Sequence, residues 1–205
     1  MFGIPFWRAA RLGTGLVLVA AFWPFSVSAQ PLDERDQAIF GFAAAYSSGD
    51  LGTTAAFVAP FDGNFAVGAG YQHYLVEPFP DLLLGAEFGV AGRFGDTETA
   101  EAWLGVTARY DGIVLGDVLR IAPALTLGLS LVSGPTGTEH GREILREGDA
   151  SLLFYMAPEI ALSLVSHPNL ELFYRLQHRS GLYGTLGGGL REGYNGNALG
   201  LRFRF

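Results

Sequence analysis

Residues 170–205 read LELFYRLQHRSGLYGTLGGGLREGYNGNALGLRFRF. Leu170, Leu172, Tyr174 and Leu176 alternate with Glu171, Arg175, Gln177 and Arg179, with Phe173 among the polar set. Alternation with period two marks a strand with one apolar and one polar face. His178 and Ser180 continue the apolar stripe, an unusual place for two polar groups. After a Gly-rich loop the pattern resumes, with Leu199, Leu201, Phe203 and Phe205 on one side and Arg202 and Arg204 on the other.

The same reading extends backwards through the chain. Strands are expected at 38–46, 64–75, 82–94, 100–110, 119–132, 151–163, 170–180 and 194–205. Pro123 within the fifth run marks a bulge. The turns at 77–81, 111–118 and 166–169 alternate with loops at 47–63, 133–149 and 181–193. Eight strands of about 10 to 12 residues match tilted crossings of a hydrocarbon layer. The expected fold is all-β, an eight-stranded antiparallel transmembrane β-barrel of the bacterial outer membrane. Such a barrel is filled by its own side chains. Glu87, Glu101, Glu159 and Glu171 are expected inside with Arg93, Arg109, Arg120, Arg175, Arg202 and Arg204, paired as a structural network. Both termini of an even-stranded barrel lie on the periplasmic side. The three longer loops, and the end of the seventh strand with His178 and Ser180, then face outward from the cell.

Composition agrees. Mean hydropathy is +0.27 and aromatics make up 13% of the chain. There is no cysteine, so a closed hydrogen-bonded barrel must do what disulfides do in many small exported proteins. The start carries Arg8 and Arg11, an apolar run, and small residues up to Ala29. Residues 1–29 read as a signal peptide and 30–205 as the barrel domain. No later segment is long and apolar enough for a transmembrane helix. All 13 basic residues are arginine, against 20 acids, and the net charge of −7 excludes a broad nucleic-acid patch. His73, His140 and His167 have no ligand spacing, so neither a metal nor another cofactor is expected. Trp103, Tyr110 and Tyr183 fit membrane interfaces. The triple glycine 187–189 lacks the phosphate-loop pattern and supplies flexibility.

An imidazole beside a serine hydroxyl activates it by taking its proton, and a carboxylate helps by orienting the ring. His178, Ser180 and Glu192 supply these three types. The pair lies on the lipid-facing side, at the depth of an acyl ester in the outer leaflet. His178-Arg179-Ser180 with Glu192, just before a terminal strand ending in Phe205, resembles the PagL-type lipid A 3-O-deacylases and related acyloxyacyl hydrolase-like proteins. The layout is similar over the mature chain; the motif covers 178–192. The resemblance implies Ser180 as nucleophile, His178 as base, Glu192 as orienting acid, and no metal. That family has an asparagine after the serine and another in the following loop. Here Gly181 follows Ser180 and residues 184–189 contain no asparagine. Backbone N–H groups of Gly181 or the loop, with Asn195 or Asn197, are the substitute oxyanion donors. Counting back from Phe205, Glu192 falls on the inward parity, so it joins the triad only from the loop or beyond a bulge.

Two functions compete. One is an outer-membrane serine esterase that removes an ester-linked acyl chain from lipid A, with lipopolysaccharide as its partner. The alternative is a non-enzymatic small barrel with a structural or surface-binding role, acting through its outer loops. An acyl-chain-binding barrel is disfavoured by the charged interior. The oligomeric state, a homodimer included, is left open.

Overall fold

The computed structural model describes residues 35–191 and 193–205. The expected signal peptide, 1–29, lies outside the described residues, as does Glu192. The long strands are β1 Gln37–Ser47, β2 Phe61–Phe79, β3 Leu82–Phe94, β4 Thr99–Tyr110, β6 Leu119–Val132, β7 Leu152–Leu164, β8 His167–Ser180 and β9 Gly193–Arg204. Each pairs antiparallel with its neighbours, β4 pairs with β6, and β1 pairs with β9 from Ala38↔Arg204 to Ser47↔Asn195, closing the barrel. A three-residue strand, β5 Ile113–Leu115, extends the turn before β6.

Alternation sets the layers. On β3, Glu87 and Arg93 are buried, while Phe88 and Val90 are exposed. On β9, Arg202 and Arg204 are buried, while Leu199, Leu201 and Phe203 are exposed. An outer wall bearing Val67, Leu104, Val106, Leu129 and Leu201 would be a large apolar patch in water. It is the normal lipid-facing surface of a membrane barrel.

The interior is filled. Arg175 pairs with Glu87 (2.7 Å) and Glu159 (2.8 Å). Arg202 pairs with Glu159 (2.7 Å) and Glu171 (3.1 Å), and Arg109 with Glu171 and Asp111 (2.6 Å each). Asp111 also holds Arg204 at 2.7 Å. Phe40 and Phe173 pack edge to face at 5.8 Å, and the guanidinium groups of Arg175 and Arg202 lie over both rings. Each buried charge is thus met by opposite charge or an aromatic face, which offsets its desolvation. Arg120, expected within this network, is half-buried and forms no ion pair among the described residues.

Several boundaries differ from expectation. β2 begins at Phe61 and runs through Glu77-Pro78-Phe79, read as turn; two register irregularities against β3 accommodate the proline. β8 begins at His167, so Pro168 lies in a strand. Pro123 makes no bulge: β6 pairs with β7 in unbroken register across Pro123↔Ile160, and pairing with β4 ends at Ala124. Trp103 is not at the membrane interface. It is buried inside, donating its indole N–H to Glu87 at 2.8 Å. Two loops contain helices, α1 Leu51–Ala55 and α2 Thr138–Arg146.

Candidate functional site

β8 carries His178 and Ser180 to the outer rim, where β9 begins. The pairing is antiparallel and regular, with His178 opposite Asn195 and Ser180 opposite Gly193. His178 and Ser180 sit on the outward parity with Leu172 and Tyr174, as expected. Neither is bare to lipid: His178 is half-buried and Ser180 is 7% exposed.

The histidine is held. Its Nδ1 lies 2.6 Å from Asn195 Oδ1. Asn195 Nδ2 donates to the Gly49 carbonyl at 2.8 Å. A carbonyl only accepts, so the amide nitrogen of Asn195 must face Gly49 and its oxygen must face the ring. Nδ1 therefore carries the proton, and in the neutral ring Nε2 keeps its lone pair as a base. The ring also needs room. A Cβ at residue 193 would stand 2.2 Å from His178 Cε1, so glycine is required beneath it.

Asn197 repeats the device one step inward. Its Oδ1 accepts from Tyr174 Oη at 2.6 Å, and its Nδ2 donates to the Thr54 carbonyl at 3.3 Å. The two asparagines thereby fasten the first outer loop to the outside of β9. Ser47 and Thr54 share a hydroxyl hydrogen bond of 2.7 Å, and Phe57 packs on Tyr174 at 5.5 Å between centroids. Asp50 caps α1 by accepting from the Thr53 N–H at 2.8 Å, which holds its carboxyl below the ordinary range.

The outer loop that follows β8 folds tightly past Ser180. A Cβ on Gly181 would stand 1.8 Å from the Leu190 carbonyl oxygen. The Gly181 carbonyl accepts from the N–H groups of Gly184 (3.0 Å) and Leu186 (2.9 Å). Leu182 and Tyr183 both have positive φ, 47° and 56°, a strained conformation for two consecutive residues with side chains. Such strain clusters at functional sites.

The structure thus brings His178 and Asn195 together and sets Ser180 one strand position from the ring. No hydrogen bond joins Ser180 to His178 among the described residues. Asn195 and Asn197, expected as oxyanion donors, have both Nδ2 groups engaged with loop carbonyls. Among the described residues there is no cluster of metal-ligand type. Sequence reasoning missed Asn195 as the partner of His178 and Gly193 as its seat. Register was the available signal: with Leu170 opposite Phe203, the residue eight places along, His178, falls opposite Asn195. It also missed Glu139 and Arg142 of α2, which lie in a segment with no strand alternation.

No family model and no curated protein sequence matches the chain. Solved structures match in fold. The Neisserial surface protein A is similar at a TM-score of 0.50 and 12% identity, over 83% of this chain and 97% of that one. The outer membrane enzyme PagL is similar at a TM-score of 0.50 and 11% identity, over 82% and 99%. One is a surface protein and the other an enzyme, so this likeness does not choose between the two functions. Together with the apolar outer wall, it identifies the chain as an eight-stranded barrel of the bacterial outer membrane.

Proposed function

We propose that the protein is a serine esterase that removes an ester-linked acyl chain from lipid A, the anchor of lipopolysaccharide in the outer leaflet. The observation that carries this reading is the fixed tautomer of His178, which leaves Nε2 as a base on the outward wall beside Ser180. The Ser180 hydroxyl attacks the ester carbonyl carbon while His178 Nε2 takes its proton. The tetrahedral intermediate collapses, the sugar hydroxyl leaves with that proton, and an acyl-Ser180 ester remains. Water, deprotonated by the same nitrogen, hydrolyses this ester and releases the fatty acid.

Asn195 orients the ring in this reading, as an amide does in Cys-His-Asn hydrolases. Glu192 is kept as the acid whose charge stabilises the imidazolium, the role that the motif resemblance implies. The oxyanion donors are backbone N–H groups at Gly181 and the loop after it. The chemistry uses no cofactor.

The test is lipid A mass spectrometry after expression of wild type and Ser180→Ala. Loss of one ester-linked acyl chain with wild type alone supports the esterase, and identical spectra overturn it. One observation favours the second reading, a small barrel with a structural or surface-binding role: Ser180 and His178 share no hydrogen bond.

A further inference from the structure

We infer that helix α2, in the outer loop between β6 and β7, is a brace for the outer ends of β8 and β9, with Glu139 and Arg142 as positioning residues for His178 and Ser180. The inference rests on the esterase reading for its kinetic consequence, but not for its geometry.

Glu139 stands in the first turn of α2 and is 3% exposed. A carboxylate so buried needs cationic partners. It has two: Arg93 from β3 at 2.8 Å, and Arg179. Arg179 lies between His178 and Ser180 and points inward. It is further fixed by Ser130 Oγ at 2.8 Å and the Ala150 carbonyl at 3.0 Å. Arg93 in turn lies over the rings of Tyr46 and Tyr194, which stack on each other at 4.5 Å.

Three residues beyond Glu139, on the same side of the helix, Arg142 donates from Nη1 to the Gly193 carbonyl. Gly193 is the residue opposite Ser180 and the seat of the His178 ring. Glu143 accepts from the Ala150 N–H at 2.9 Å and ties the end of the loop back to the helix. The space left between Glu139, Arg142, Leu153, Arg179, Leu190 and Tyr194 is about 10 Å³, room for no more than about one water.

The brace acts where the sheet stops. Pairing of β8 ends at Ser180, with Phe154 on one side and Gly193 on the other. At this last pair α2 adds two anchors to the ladder, Arg142 on the Gly193 carbonyl and Glu139 on Arg179. Small misplacements between the ring and the hydroxyl cost rate, because the reacting groups must be held near their attack geometry.

Arg142 is the clean probe, since its side chain is half-buried at the rim. The measurement is hydrolysis of p-nitrophenyl myristate in mixed micelles by the full chain. Arg142→Ala lowers kcat about 10-fold with KM unchanged, and Arg142→Lys, which keeps a donor for the carbonyl, restores most of it. Electrophoretic heat-modifiability stays that of the folded barrel in both. Equal kcat in wild type and Arg142→Ala overturns the inference, as does a loss matched by the fraction unfolded. A second readout needs no turnover: amide hydrogen exchange of the chain in dimyristoylphosphatidylcholine vesicles. Exchange about 10-fold faster at 178–180 and 193–195 in Arg142→Ala, with mid-barrel exchange unchanged, supports the brace. Unchanged exchange there overturns it, whatever the esterase result. Wild type as inactive as Ser180→Ala removes the esterase reading and leaves the brace to be decided by exchange alone.

Discussion

The inner and outer faces of β8 present the same backbone to two different solvents. Inward, Glu171, Arg175 and Arg179 are buried, and each meets opposite charge at hydrogen-bonding distance. Outward, Leu170, Leu172 and Tyr174 face the lipid side, Leu176 on the same parity is covered, and the run ends on His178 and Ser180. Inside, polarity is a packing solution, because an eight-stranded barrel must fill itself and its charges must cancel. Outside, the barrel's packing has no use for an imidazole with a free lone pair. Asn195 and Gly193 hold it there all the same.

The largest expected effect separates the faces outright. Ser180→Ala lowers acyl release about a thousand-fold or more, with the thermal unfolding of the barrel unchanged. Arg175→Ala does the reverse. It leaves Glu87 and Glu159 buried without their shared partner and costs about 3–5 kcal/mol by urea unfolding, while turnover per folded molecule is kept.

Asn195→Ala sharpens the outer side, lowering kcat about 10- to 100-fold because the tautomer is no longer fixed. Asn195→Asp carries a sign. A carboxylate at Nδ1 favours the imidazolium and raises the histidine pKa, so the acid limb of kcat/KM moves to higher pH. A limb that stays put shows that His178 is not the base. Gly193→Ala is expected to cost about 10-fold in kcat by pushing the ring off its seat, read against an unchanged unfolding midpoint. The smallest effect concerns Asp50. Its lowered pKa means that the α1 cap is present above the ordinary carboxylate range and is lost as pH falls below it. The protection of the Thr53 amide, taken relative to its intrinsic exchange rate at each pH, falls over that interval, and that of the β8 amides does not.

Much of this contrast was legible in the sequence, because both faces follow from one period-two rule. The outward set from Leu170 to Ser180 and the inward Glu171 and Arg175 need only alternation. What alternation does not encode is which residue stands across the next strand or above the rim. Asn195 meets His178 through register, Glu139 meets Arg93 and Arg179 through a helix in a loop, and Gly193 matters for the volume that it lacks. Trp103 was misplaced for a related reason: its type fits a membrane interface, but its parity and its bond to Glu87 put it inside.

The contacts of Asn195 also carry a timing. One partner, His178, lies near the end of the chain, and the other, Gly49, near its beginning; they meet only where β1 and β9 pair. With the sheet still open, Asn195 can stand opposite His178 across β8 and β9, but its amide lacks the Gly49 carbonyl that orients it. Closure of the seam is therefore the step that fixes the amide and, through it, the ring. The tautomer of a side chain on β8 is in this way tied to the pairing of the first strand with the last.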